Sequence, residues 1–416
     1  MKSSKIWVLL WFMSCGMPSR QIYYDKSYPL ISSHGHFFSS VIIDESGIDS
    51  ESEGDLWPST WSDDGHLYAA NGDGKGFGEV FGDITFNRIY GHPGEGNIKG
   101  ETISVGFGPI WGNTSNYNRK PTGLTSVDGI LYLAVQDLNK TKTEDIFNEA
   151  PNATILKSED KGKSWQWDKE KPMFSNHSFT TIMFLDYGRD GENNPSDSYL
   201  YAYGLDYNWR DSFSDIVKDP ENLFLARVPK KNVQDPDKWE YYNGDLNGNA
   251  DWSKPGAIEE RKPVLTETGR RYKNLPNKYK GIENMSVLSQ GSIVYNKPLD
   301  RYIYSSWTEY TYEFYEAPYP WGPWNLFLSK DFGTYPWSDK RFGGYATVIP
   351  SKYISDDGLT MWICSSTFAG GTDHYNFNLR KLKVQKTGIV YHLRRVKVSH
   401  PRRTKVSIVG RMKVSH

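Results

Sequence analysis

The chain has 416 residues, enough for one large or two ordinary domains, with 49 Lys and Arg against 50 Asp and Glu. Aromatics make up 15%, with 38 Gly and 22 Pro; strand-forming rings and turn residues in that mixture read as all-β, and helical periodicity nowhere persists beyond about three turns. The near-neutral total hides an asymmetry: residues 380–416 hold 12 Lys or Arg and no acid, and without them and the two leader lysines the body has 35 basic against 50 acidic groups, a charge of −15. Such a body repels polyanions, so nucleic acid is not expected as a partner.

Lys2 and Lys5 precede an apolar run, Ile6–Met13, closed by Ser14, Cys15 and Gly16. A charged start, a short apolar stretch and a small-residue cleavage site predict a signal peptide over 1–15, too short to span a bilayer. A cysteine directly after the cleavage point resembles a bacterial lipobox, with Phe12 where Leu is usual. Cys15 is therefore the expected lipidation site, and a secreted, periplasmic or outer-membrane lipoprotein is expected, touching membrane only through that anchor. Residues 16–35 read as a linker. Cys364 is the one other cysteine, so no internal disulfide is expected, and its strand-like context suits a buried, inert thiol.

From residue 36 the chain repeats a hairpin. Asp55–Trp61 turns at Ser62–Gly65 and returns as His66–Asp73; Lys120–Thr125 turns at Asp128-Gly129 and returns as Ile130–Asp137. A third copy runs from His177, turns between Gly188 and Asp197, and returns as Ser198–Asp206. The fourth starts near Glu283, turns at Asn296–Asp300 and returns as Arg301–Trp307, and the fifth runs Gly344–Ile349, Ser355–Gly358, Leu359–Ser365. Asp-Gly between apolar runs is a strong hairpin signal, and five copies predict radial repetition. The expected fold over 36–385 is a five-bladed β-propeller with four antiparallel strands per blade. Outer strands include Asn222–Val228 and Tyr375–Leu382, and an N-terminal strand, His36–Ile43, is expected to close the ring.

Ser158–Trp165 fits the Asp-box pattern S-x-D-x-G-x-x-W, and Ser329–Trp337 is a near copy with one residue inserted. Its Asp is expected to bond amides of its own turn while Gly takes positive φ and Trp tucks beneath. That is a structural device, away from any reacting centre. The basic segment 386–416, which repeats Val396–His400 as Met412–His416, reads as a disordered or artefactual tail.

Several stretches resemble the bacterial domain-of-unknown-function 4185 family. They include Asp55–Tyr68, Asn71–Phe77, Val127–Tyr132, Leu225–Lys230, Tyr295–Tyr302 and Tyr315–Trp324, and the likeness runs in order over about 50–385. Some members of that family are reported as arabinan-cleaving glycoside hydrolases, so the resemblance implies a propeller of glycoside-hydrolase type.

Propeller geometry converts the repeat into a site. The residue before each innermost strand and the residue after its partner meet at one mouth, which collects Asp55, Asp73, Lys120, Asp137, His177, Asp206, Glu283 and Trp307. Four or five carboxylates there suit glycoside hydrolysis, where one acid protonates the leaving oxygen and another attacks or activates water. Asp55, beside Trp57 as the expected sugar platform, is the expected base or nucleophile; Glu283 and Asp206 compete as acid. Asp73, Lys120, Asp137, His177 and Trp307 are expected substrate contacts. Structural roles compete at each: Asp55 or Asp73 as turn residues, Asp206 bonding a loop amide, Glu283 in an ion pair, His177 as a bonded loop residue.

No metal or other cofactor is expected. Asp245–Asp251 and Asp190–Asp197 have oxygens at intervals as a calcium loop would, but the first lacks the loop's Gly and terminal Glu. The expected partner is a carbohydrate and the expected state a monomer. The leading reading is a hydrolase of a neutral polysaccharide. A non-catalytic glycan-binding propeller is the alternative, followed by a polysaccharide lyase, which needs a Tyr or His base and a cation beside a uronate.

Overall fold

Asp128 and Gly129 both take positive φ, 53° and 76°, the pair of left-handed residues that a tight two-residue hairpin requires. Turns of this kind organise a chain for which a computed structural model describes residues 37–106, 117–139, 149–196, 198–210, 217–246, 249–268, 288–308, 311–331, 345–367 and 374–387. Cys15, the 16–35 linker, Glu283 and most of the basic tail lie outside them. Strands and short 3-10 turns make up the regular structure, with no α-helix among the described residues. The protein is all-β.

Strand β1 spans Phe38–Ile48. Unit one follows as β2 (Glu53–Asp55), β3 (Ser59–Trp61), β4 (Leu67–Gly76), β5 (Gly82–Tyr90) and β6 (Lys99–Val105). Unit two is β7 (Tyr117–Val127), β8 (Ile130–Asn139) and β9 (Asn152–Ser158). Unit three is β10 (Thr181–Asp186), β11 (Tyr199–Leu205), β12 (Asn222–Pro229), β13 (Glu240–Leu246), β14 (Asn249–Trp252) and β15 (Pro263–Thr266). Unit four is β16 (Ser292–Asn296), β17 (Arg301–Trp307), β18 (Thr311–Ala317) and β19 (Asn325–Asp331). Unit five holds β20 (Thr360–Cys364) and β21 (Leu379–Lys386), and β1 pairs antiparallel with β21, Ile43 opposite Leu382. Every unit is antiparallel within itself, while β10 and β16 run parallel and join units three and four.

The apolar residues explain why the units stand side by side. Five buried clusters form, four of them each from two neighbouring units: Tyr68 and Phe86 with Leu133 and Leu156; Tyr132 and Ile155 with Ile182 and Trp239; Leu185 and Tyr203 with Ile293 and Tyr304. A fourth joins Ile303 and Phe314 to Ile363 and Leu382, and a fifth returns from Leu379 and Trp362 to Leu67 and Ile89 of unit one. Strands that lie between two clusters are therefore covered on both faces, as β10 and β18 are along nearly their whole length. One small cavity is lined by a segment from every unit, including Ser59, Gly123, Met183, Gly291 and Val348.

The Ser158–Trp165 turn is held from within. Asp160 accepts from the Ser164 amide at 2.9 Å, the Gly162 amide donates to Ser158 Oγ at 2.8 Å, and Gly162 sits at φ 85°. The Trp165 indole donates to the Gly162 carbonyl and packs edge-on against Phe86 of unit one. The Ser164 hydroxyl, together with the Ser164 amide and the Ser158 hydroxyl, donates to the Asp160 carboxyl, favours its ionised form and lowers its pKa. The inserted copy at 329–337 falls mostly outside the described residues.

Several expected strands are cut short. The run Asp55–Trp61 breaks because Leu56 and Trp57 both take positive φ, 69° and 53°. The run from His177 begins only at Thr181, since Asn176, His177 and Phe179 are left-handed too. Gly344–Ile349 contributes an isolated bridge, Val348 with Cys364, instead of a strand. Residues 374–378 precede β21, so Tyr375 stands off the sheet, and Lys386 belongs to that strand.

Candidate active site

The left-handed step at Leu56–Trp57 turns the chain sharply after Asp55, with the Trp57 amide donating to the Asp55 carbonyl at 2.9 Å. Asp55 pairs with Gly72 across β2 and β4. The missing side chain of Gly72 is what makes room: a Cβ there would fall well inside contact distance of Asp55 Oδ1 and 3.1 Å from Lys120 Nζ. Gly72→Ala is therefore expected to force Asp55 and Lys120 apart, lowering stability by about 1–3 kcal/mol as overpacking does. Thermal unfolding reads this, and an unchanged midpoint would show that the pair yields freely.

Asp55 is 1% exposed. Its Oδ2 accepts from the Tyr375 hydroxyl at 2.9 Å, and that hydroxyl lies 3.2 Å from the Asp73 carbonyl oxygen. Its Oδ1 has no hydrogen-bond partner among the described residues. Lys120, also buried, ion-pairs with Asp73, whose side chain is 32% exposed and opens the cluster toward solvent. Burial raises the Asp55 pKa; the Lys120 ammonium works against it, the Asp73 carboxylate adds to it, and hydroxyls of Tyr375 and Tyr345 lower it again. Burial and the neighbouring Asp55 carboxylate likewise raise the Tyr375 pKa, so its hydroxyl stays protonated. An aromatic line leads away from the cluster: Tyr375 to Tyr345 at 5.9 Å, Tyr345 to Trp307 at 6.5 Å, Trp307 to Trp209 at 5.9 Å.

Units one, two and five thus meet at Asp55, Asp73, Lys120, Tyr345 and Tyr375. The other residues singled out from the sequence are placed differently. Trp57 is fully buried, its indole donating to the Gly54 carbonyl and Ser366 Oγ between the rings of Phe77 and Phe377. Trp307 is also fully buried and donates to the Gln290 carbonyl. Neither presents a free face to a sugar. Both Asp206 oxygens are engaged, by the Phe179 amide at 2.8 Å and Arg261 at 2.7 Å, so Asp206 stitches the left-handed loop to β11. His177 contacts Glu149 at 2.6 Å.

Asp137 is fully buried opposite Arg119 on β7, whose guanidinium stands 3.8 Å away and also faces Asp83. Neither Asp137 oxygen has a hydrogen bond among the described residues, and burial pushes its pKa up to about 7 against the pull of Arg119. Glu283 lies outside the described residues. Beneath the cluster, Thr181 Oγ1 donates to Gln136, Gln136 contacts Gln290, and Gln290 donates to the Pro121 carbonyl, tying units two, three and four.

Of the two oxygen-rich loops, Asp190 is occupied by the Ser126 hydroxyl and the Gly129 amide, and Asp245 lies in the β13–β14 hairpin. No group of three or more His, Cys, Asp or Glu arranged for a metal occurs among the described residues.

Sequence reasoning missed Tyr345 and Tyr375. Tyr345 was findable, because it precedes the inner segment of unit five and the mouth rule selects it. Tyr375 was not, because its position depends on an irregular stretch ahead of β21.

No protein-family model matches the chain, and no curated protein matches it. Among solved structures it is similar to a GH43 β-xylosidase/α-arabinofuranosidase from a compost microbial metagenome, with TM-score 0.44 and 13% identity over 83% of this chain and 95% of that one. It is similar to a GH43_1 enzyme from Xanthomonas citri complexed with xylotriose, with TM-score 0.40 and 13% identity over 84% and 91%. A third, xylan β-1,4-xylosidase from Bacillus halodurans C-125, has TM-score 0.45 and 11% identity; the match covers 82% of this chain and 55% of that one.

Proposed function

We propose that this chain is a five-bladed β-propeller, closed by its N-terminal strand, that hydrolyses glycosidic bonds of a neutral polysaccharide. The five clusters that link each unit to the next, the last returning to unit one, support the ring. The family suggested by the sequence resemblance, export by the leader and a lipid anchor on Cys15 belong to the same reading.

The observation that carries the function is the state of Asp55: a buried carboxylate with one oxygen fixed by Tyr375 and the other unpartnered among the described residues. In the proposed step Asp55 Oδ1 accepts a proton from water as the water oxygen bonds to the anomeric carbon. The bond from that carbon to the leaving oxygen breaks, and the leaving oxygen takes a proton from a second acid, assigned to Glu283. Asp73, the exposed member, is suited to orienting a sugar hydroxyl.

A lyase fits less well. The Tyr375 hydroxyl is committed to Asp55 and resists ionisation, and Lys120 is already balanced by Asp73, leaving no free cation in this cluster for a uronate. A purely binding role loses its two expected platforms, because Trp57 and Trp307 are covered.

Incubation of wild type with neutral polysaccharides, arabinan and xylan among them, should release new reducing ends without an unsaturated product absorbing near 230 nm. That absorbance would instead establish lyase chemistry, and binding with no cleavage of any glycan would establish the non-catalytic reading.

A further inference from the structure

The sequence reading made Lys120 a substrate contact, but a 4% exposed lysine whose ammonium is ion-paired with Asp73 has no reach left for substrate. Its position suggests another task. The ammonium and Asp55 Oδ1 approach the same empty side-chain position of Gly72 from two strands, where a Cβ would stand 3.1 Å from Lys120 Nζ and well inside contact distance of Asp55 Oδ1. We infer that Lys120 is a positioning residue that holds Asp55 ionised and correctly turned, with Asp73 anchoring the ammonium. The inference rests on the reading of Asp55 as the base.

The charge balance makes the need plain. The groups facing Asp55 are Lys120, Asp73, Tyr375 and Tyr345. Burial and Asp73 both oppose ionisation, and the two tyrosines offer only neutral hydroxyls. Lys120 is the one cation in that set. An opposite charge a few ångström away lowers a carboxyl pKa by about 1–3 units, and its removal gives that back.

The test is the acid limb of the pH profile of kcat/KM, on whichever glycan wild type cleaves, for Lys120→Met and Lys120→Arg. Lys120→Met should move the acid limb up by at least about one unit, so that cleavage on the acid side of the wild-type limb falls about tenfold or more while the plateau is kept, with little change in KM. Lys120→Arg should return the limb most of the way. A loss equal at every pH, with the limb unmoved, would reduce Lys120 to a packing role and overturn the inference.

A second measurement does not depend on cleavage. Unfolding of wild type, Asp55→Asn, Lys120→Met and the double variant at a series of pH values spanning the acid limb should show a coupling that grows with pH as Asp55 ionises. Absence of that growth overturns the inference. Coupling in a protein that cleaves no glycan would uphold the charge relation and sink the proposed activity, so the two failures are distinguishable. Should Lys120→Met not fold, Lys120→Gln, which keeps a polar side chain without the charge, should move the acid limb in the same direction, and an unmoved limb in that variant would overturn the inference.

Discussion

Asp55→Asn is expected to fold like wild type and to lose about 10²–10⁴-fold in glycan cleavage, the usual worth of a general base. The exchange is nearly isosteric. The amide oxygen can still accept from Tyr375, so the geometry set by the Leu56–Trp57 kink and Gly72 survives. What disappears is the capacity to take a proton from water, together with the negative charge beside Lys120. Losing the charge costs little folding stability, because burial and Asp73 already oppose ionisation of Asp55 while Lys120 favours it. Rate and stability should therefore part company. Steady-state rates measured beside thermal unfolding check this; cleavage within tenfold of wild type would remove Asp55 from the chemistry.

Asp137→Asn is expected to flatten the pH dependence of stability without comparable damage to the site. The folded pKa of about 7 stands above the ordinary 3.8, so the folded form holds its proton longer than the unfolded one. The stability this confers is complete below about pH 4 and lost as pH rises through 7. At about 1.4 kcal/mol per unit the full swing is about 4 kcal/mol, with the Arg119 attraction already counted against it. Asp186, also raised to about 6 by burial, contributes with the same sign, so the slope should shrink in the variant and not vanish. Denaturant unfolding at pH 5 and pH 8.5 measures the difference. Parallel losses in wild type and variant would mean that the carboxylate finds water or a partner when it ionises.

Removing Asp137 also leaves Arg119 with Asp83, which keeps the substitution from stranding a buried cation, the usual reason that breaking a buried pair is severe. The contrast with Asp55 is instructive. Both acids are buried on neighbouring units, yet only Asp55 has a cation, a second carboxylate and two hydroxyls around it.

Elements governed by local chemistry are legible in the sequence. The return strand Arg301–Trp307 has those bounds, Ile130 begins β8, and Asp128-Gly129 turns with both residues left-handed. The Ser158–Trp165 turn closes on its own side chains. These depend on neighbours a few residues apart, and residue type alone carries the information. Legibility failed where the backbone departs from strand geometry for tertiary reasons. Nothing in Leu56-Trp57 or Phe179 announces positive φ, which bulky residues adopt only when surrounding contacts compensate for it.

Residue type therefore dictated the all-β character and the local turns at Asp128-Gly129 and Ser158–Trp165, because strand-forming residues and turn chemistry act over short range. Tertiary structure alone decided that Trp57 and Trp307 face the core, that Asp206 serves a loop amide and Arg261, and that Tyr375 reaches Asp55 from 320 residues away. The reason is physical: a side chain's direction follows from its own strand, but which groups meet it there depends on how separate units pack, and no local pattern encodes that.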